Sequence, residues 1–83
     1  MYKARVRLPP KMVKLLRSEW EKIIWEANLG RDDTIIITRY ILESVPQADI
    51  AEECKLERST VSKRIAGILH RLDFVAEKLG LYQ

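Results

Sequence analysis

The stretch LERSTVSKRI, residues 56–65, concentrates hydrogen-bonding side chains in a short segment. Arginine and lysine donate hydrogen bonds, glutamate accepts them, and serine and threonine do both. The stretch contains no histidine or cysteine that could activate a hydroxyl group or act as a nucleophile itself. These residue types therefore support recognition of a polar or charged partner rather than covalent catalysis, and we predict that the protein is not an enzyme.

Two apolar residues in this stretch determine which of its side chains point outward. Val61 and Ile65 are four residues apart, which places both on one face of a helix. If that face packs against a neighbouring helix, the polar side chains between them must face away from the core. The outward-facing residues predicted in this way are Arg58, Ser59, Ser62 and Lys63.

A second short helix is predicted immediately before this one. Pro46 suits the start of a helix over QADIAEEC, residues 47–54. A steep crossing of two short helices needs a small residue at the contact, and Ala51 supplies it. Leu56 lies in the turn, where it can fill the corner between the helices. We therefore predict a helix-turn-helix unit over residues 47–66.

The other segments are predicted to support this unit within a single domain, residues 1–83. The chain is predicted to be all-α, a bundle of four to five helices. YKARVRLPP alternates as a short strand would, or forms a loose basic arm, over residues 1–10. Helix-like spacing of apolar residues predicts an N-terminal helix over 11–28, a supporting helix over 33–45 and a C-terminal helical extension over 67–80. For the supporting helix, the β-branched run TIIIT favours a strand, but a cap from Asp32 or Asp33 favours the helix that we choose.

The segment RYILESVPQADIAEECKLERSTVSKRIAGILHRL resembles the fourth region of sigma-70-type factors and related small transcriptional regulators. The similarity covers residues 33–72. The residues that carry it are Gln47, Ile50, Ala51, Cys54, Leu56, Val61 and Ile65. The resemblance implies a sequence-specific regulator that binds double-stranded DNA, with the second helix in the major groove and no cofactor. Lys55 departs from the pattern, because family members usually have glycine at that turn position.

The resemblance also implies that some of the polar residues contact bases and that others contact phosphates. Arg58 or Lys63 would donate to guanine, and Glu57 would accept from the amino group of cytosine. Phosphate contacts would set the position of the protein without reading sequence. The expected base-facing residues are Glu57, Arg58, Ser59, Ser62 and Lys63, and the expected phosphate-facing residues are Gln47, Thr60 and Arg64.

Composition excludes several other classes of protein. A single cysteine, Cys54, rules out an internal disulfide, and one cysteine with one histidine, His70, cannot form a zinc site. There is no apolar run long enough to cross a bilayer, so we predict no membrane partner. The basic N-terminus lacks the apolar core of a signal peptide, so we expect a cytoplasmic protein that associates with the nucleoid through DNA.

Charge is unevenly distributed along a chain whose net charge is +3. Residues 1–30 carry seven basic and three acidic side chains, residues 31–53 carry two and six, and residues 54–83 carry six and three. Basic ends and an acidic middle are compatible with separate surfaces for a polyanion and for another partner, and equally with scattered solvated charge.

Three alternatives remain open from the sequence. The residues Val61, Ile65, Ile68, Leu72, Val75 and Leu79 follow a heptad spacing that predicts either a homodimer contact or packing on the N-terminal helix of the same chain. ARVRLPPKMVKLL is similar to the start of ribbon-helix-helix repressors, in which Arg5 and Arg7 would read bases. An acidic surface around Asp49, Glu52 and Glu53 could instead bind RNA polymerase or another regulator.

Overall fold

The computed structural model describes residues 8–82, and these residues form only helices and connecting turns. A 3₁₀ helix, Pro10–Lys14, is followed by α1 (Arg17–Ala27), α2 (Arg31–Ile37), α3 (Gln47–Cys54) and α4 (Arg58–Lys78). A π-helical turn, Thr38–Leu42, continues directly from α2. The all-α prediction is confirmed. The predicted strand or arm over residues 1–10 lies outside the described residues except for its last three positions, which contain no strand.

The predicted N-terminal helix over 11–28 is wrong in its first third. Leu15 and Leu16 have extended backbone conformations, which separate the 3₁₀ helix from α1. The backbone N–H of Leu16 donates to the Glu19 side chain at 2.8 Å, so a new helix begins at Arg17. Met12 is fully buried, whereas Leu16 is 65% exposed. The break thus directs Met12 into the core and leaves Leu16 at the surface.

The β-branched run after Gly30 is helical, as predicted, with Ile36 and Ile37 buried. The helix begins two residues earlier than expected, and its N-cap is Gly30 rather than Asp32 or Asp33. Gly30 has φ of +91°, a conformation that side chains disfavour. Both aspartates instead lie in the first turn, where their charge complements the helix dipole.

The π-helical turn ends the supporting helix and ties it to α1. The N–H of Glu43 donates to the carbonyl of Thr38 at 3.1 Å, a five-residue separation. The guanidinium of Arg17 donates to the carbonyl of Leu42 at 2.9 Å, which satisfies a backbone group at the helix end. A second arginine, Arg39, pairs with the carboxylates of Glu53 on α3 and Glu43. These contacts fix the supporting element against α1 and α3.

The turn between α3 and α4 brings the two helices together at the predicted residues. The backbone of Lys55 has the left-handed conformation, with φ of +58°. The N–H of Leu56 donates to the carbonyl of Ala51 at 2.9 Å. Ala51 is 3% exposed at the crossing, and Leu56 is half-buried. Val61 and Ile65 are completely buried. The inward-facing anchors of the second helix are therefore the two predicted residues.

The heptad-spaced stripe of α4 forms the core of this chain. Val61, Ile65, Ile68 and Leu72 are all buried, in helix packing that joins α4 to α1, α2 and α3. Val75 is half-buried and Leu79 is 38% exposed. The first four residues of the stripe therefore pack within the chain, and a dimer contact through those four would require them to leave the core.

The C-terminal residues fold back on the end of α4. The Tyr82 hydroxyl donates to the Asp73 carboxylate at 2.7 Å, and the ammonium of Lys11 lies 4.7 Å from the centre of the Tyr82 ring. Burial and the Asp73 carboxylate both raise the pKa of the Tyr82 phenol. The hydroxyl therefore stays protonated and continues to donate, which holds the chain end near the 3₁₀ helix.

Candidate nucleic-acid interface

The first two turns of α4 present a polar face that is free of internal contacts. Arg58, Ser59 and Lys63 are exposed, and none of their side chains forms a hydrogen bond or ion pair with another residue of 8–82. Ser59 and Lys63 are four residues apart and lie on one helix face, with Arg58 beside them. Three of the predicted base-facing residues are thus grouped and available to a partner. We call Arg58, Ser59 and Lys63 the outer polar face.

The N-terminus of α4 adds backbone donors beside the outer polar face. Glu57 occupies the N-cap position and is exposed, but no side chain of the described residues caps this helix end. The first N–H groups of the helix are therefore left for solvent or a ligand, and the helix dipole gives them partial positive charge. These N–H groups can donate hydrogen bonds to an oxygen atom of an anionic partner.

Gln47 lies in the interior, although the sequence prediction placed it against phosphate. It is 7% exposed and is the buried polar residue of the described core. Its amide oxygen accepts a hydrogen bond from the Ser62 hydroxyl, and its amide nitrogen lies 3.4 Å from the Tyr40 hydroxyl. We call Gln47, Ser62 and Tyr40 the inner polar cluster. It joins α3, α4 and the π-helical turn, and so it sets the angle of α4.

Ser62 and Thr60 are less available than the sequence predicted. Both side chains are half-buried, and the Ser62 hydroxyl is already engaged by Gln47. The prediction that Ser62 faces outward is wrong because it lies on the side of α4 that turns toward α3. Thr60 keeps partial exposure at the edge of the helix, which is compatible with the phosphate contact expected of it.

Arg64 is exposed but turned toward α2. Its guanidinium lies 3.6 Å from the Asp33 carboxylate, a separation longer than a hydrogen bond. The same Asp33 oxygen is buried and has no hydrogen-bond partner among the described residues. Ion pairs between partly exposed side chains contribute little stability, but moving Arg64 to a phosphate would leave this buried Asp33 oxygen without its ion-pair partner, which offsets part of the gain.

The sequence also predicted an acidic surface on the helix that precedes α4. Asp49 and Glu52 are exposed on α3. Glu53, which the sequence grouped with them, is held by Arg39, whose Nε lies 3.0 Å from a Glu53 oxygen. The Glu53 and Glu43 carboxylates raise the pKa of the Arg39 guanidinium. Asp49 and Glu52 would repel a polyanion, which directs such a partner toward α4.

Two small residues extend the outer polar face but were not predicted from the sequence to belong to it. Ala66 and Gly67 are exposed one turn after Lys63. A Cβ atom added at Gly67 would meet nothing within 4 Å, so the helix surface there is open. The three- and four-residue spacing from Lys63 was the signal that could have identified them. Their small size lets a bulky ligand approach the helix backbone closely.

Within residues 8–82 there is no group of three or more His, Cys, Asp or Glu side chains that could hold a metal ion. No helix in that range combines the length and the apolar character needed to cross a bilayer. Comparisons of the chain with protein-family models, with curated proteins and with solved structures found no match.

Proposed function

We propose that this protein is a sequence-specific regulator of transcription that binds double-stranded DNA and places the start of α4 in the major groove. The observation that carries the proposal is the outer polar face, in which Arg58, Ser59 and Lys63 are exposed and unpaired among the described residues. Unpaired cations grouped on the first turns of an exposed helix suit a groove lined by phosphates and base edges.

The rigid support of α4 strengthens this proposal. Specific recognition needs side chains held in one orientation, because a loose helix would lose entropy on binding. Val61 and Ile65 anchor α4 from the interior, and the inner polar cluster adds a directional contact through Gln47. The diameter of an α-helix with its side chains is about 10–12 Å, which matches the major-groove width of about 12 Å.

The geometry revises the set of proposed contacts. Arg58 and Lys63 are the proposed guanine donors, and Glu57 is the proposed acceptor for cytosine. Thr60, Arg64 and the uncapped N–H groups of α4 are the proposed phosphate contacts. Gln47 and Ser62 are left out of the proposed set because their polar groups are engaged with each other.

A second candidate function is binding of RNA polymerase or another regulator. It rests on Asp49 and Glu52, which are exposed on α3 and form no ion pair with another residue of 8–82. Such a contact is compatible with DNA binding, since α3 and the outer polar face are separate surfaces. Substituting both carboxylates by amides would weaken the binding of a protein partner, whereas DNA affinity should not fall.

Selection of bound duplexes from a random pool tests the main proposal. We expect a consensus sequence to emerge, and binding to it should weaken steeply as salt concentration rises. A palindromic consensus would also indicate that the regulator binds as a homodimer. Absence of affinity for any duplex at low salt would contradict the proposal, and loss of sequence preference on substitution of Arg5 and Arg7 alone would transfer base recognition to the N-terminus.

A further inference from the structure

A tryptophan projects into solvent from α1. Trp25 is 82% exposed, whereas Trp20 on the inner side of the same helix is 6% exposed. Large exposed aromatic side chains are typical of sites where a partner binds. Trp25 borders a concavity of about 780 Å³ between α1 and α2. We propose that this protein forms a two-fold homodimer in which Trp25 of each copy enters this concavity, the α1–α2 groove, of the other.

The groove provides an apolar site for a ring of this size. Its apolar lining comes from Ile24, Leu29, Ile35 and Leu42. Ile35 is 43% exposed and lines the same concavity as the exposed Trp25, so the two side chains form a shared apolar surface. Burying a tryptophan against such a surface removes a large apolar area from water. A projecting side chain and a matching concavity on one patch are the requirement for a self-complementary two-fold interface.

Charge on the rim favours a second copy as the occupant. Glu26 on α1 and Arg31 at the start of α2 both line the groove and are exposed. Neither forms an ion pair with another residue of 8–82. A two-fold axis through the groove lets Glu26 of each copy meet Arg31 of the other. A strongly acidic or strongly basic partner would match only one of these two charges.

The interface is separate from the surface proposed for DNA. All residues that line the groove fall between positions 21 and 42, so α3 and α4 do not contribute to it. Dimerisation would therefore leave Arg58, Ser59 and Lys63 exposed in both copies. It also uses a surface that the folded chain leaves open, unlike the apolar stripe of α4. The dimer is expected without DNA, so this proposal stands independently of the proposed function.

Sedimentation equilibrium of the full chain, from nanomolar to high micromolar concentration, measures the dimer directly. We expect Trp25→Ala to raise the dimer dissociation constant at least about 30-fold, as for a central interface aromatic. Phe74→Ala is the matched control, because Phe74 is an aromatic residue of α4 that is 61% exposed and lies outside the groove. Circular dichroism establishes that both variants remain helical.

A charge exchange tests the two-fold arrangement. Glu26→Arg and Arg31→Glu should each weaken the dimer about 5-fold or more by placing like charges together, and the double variant should restore it. Failure of the double variant to recover would overturn the proposed pairing. A wild-type chain that stays monomeric at every concentration, or a dimer unaffected by Trp25→Ala, would overturn the proposal and leave the groove to a different occupant.

Discussion

Ser59 and Ser62 lie one turn apart on the same helix, yet they belong to different parts of the molecule. Ser59 is exposed on the outer polar face, and Ser62 is half-buried and donates to Gln47 in the inner polar cluster. The two residues have the same chemistry and differ only in their angular distance from Val61 and Ile65. Polar character therefore does not by itself identify a surface that binds a ligand. The outer residues are available to a partner, and the inner ones hold the helix that presents them.

Removing the cations of the outer polar face should have the largest effect. We expect Arg58→Ala with Lys63→Ala to lower affinity for the selected duplex about 100-fold, because each base or phosphate contact contributes about 1–3 kcal/mol. The free energy of unfolding should change by less than about 0.5 kcal/mol, since both side chains are exposed. Fluorescence anisotropy at fixed salt measures affinity, and urea denaturation measures stability.

Two exposed lysines outside α4 provide the control for that experiment. Lys14→Ala with Lys22→Ala removes the same amount of charge from exposed positions of the 3₁₀ helix and α1. Nonspecific attraction to DNA should fall equally in both double variants, whereas sequence preference should be lost only when Arg58 and Lys63 are replaced. Equal effects on the selected duplex would show that α4 does not read sequence.

Substitution within the inner polar cluster should lower the stability of the fold, unlike substitution of the outer polar face. Gln47→Ala leaves the Ser62 and Tyr40 hydroxyls without this buried partner, and we expect it to lower the free energy of unfolding by about 1–3 kcal/mol. Glu52→Ala, at an exposed position of the same helix, should have an effect below about 0.5 kcal/mol. Urea denaturation compares them. Equal stability of the two variants would mean that Gln47 does not support α4.

The two serines provide a direct test of the contrast. Ser62→Ala leaves the buried Gln47 oxygen unpaired and should lower stability by about 1 kcal/mol. Ser59→Ala should leave stability unchanged within about 0.5 kcal/mol, because its hydroxyl has no partner among the described residues. Thermal denaturation followed by circular dichroism measures both. A larger loss from Ser59→Ala would contradict the assignment of inner and outer sides.

Substitution in the turn between α3 and α4 should change the free energy of unfolding least, and it should raise stability rather than lower it. Lys55 has φ of +58°, where glycine is favoured over residues with a Cβ atom. We expect Lys55→Gly to raise the free energy of unfolding by about 0.5–1 kcal/mol. A loss of stability would indicate that the lysine side chain contributes a contact that offsets the backbone strain. Chemical denaturation of the wild type and the variant is sufficient to decide.

Short-range patterns predicted the helix-turn-helix arrangement accurately. The spacing of Val61 and Ile65, the small Ala51 and the position of Leu56 all depend on contacts between neighbouring helices in the chain, and the structure has them as expected. The break at Leu15 was missed because the apolar spacing continues through it, and only the Glu19 hydrogen bond marks the new start. Gly30 as an N-cap was also missed, because Asp32 and Asp33 were stronger capping residues by type.

The residues and their order were enough to specify an all-α chain with two short crossing helices, because helical periodicity and turn chemistry act over a few positions. Tertiary packing decided which of the polar side chains are exposed to a partner and which are engaged inside the fold. Gln47 meets Ser62 across 15 positions, and Arg17 meets the Leu42 carbonyl across 25. Likewise, burial of the α4 stripe and exposure of Trp25 depend on where α1 and α2 pack. Such long-range contacts follow from the assembled shape of the core, which no local spacing encodes.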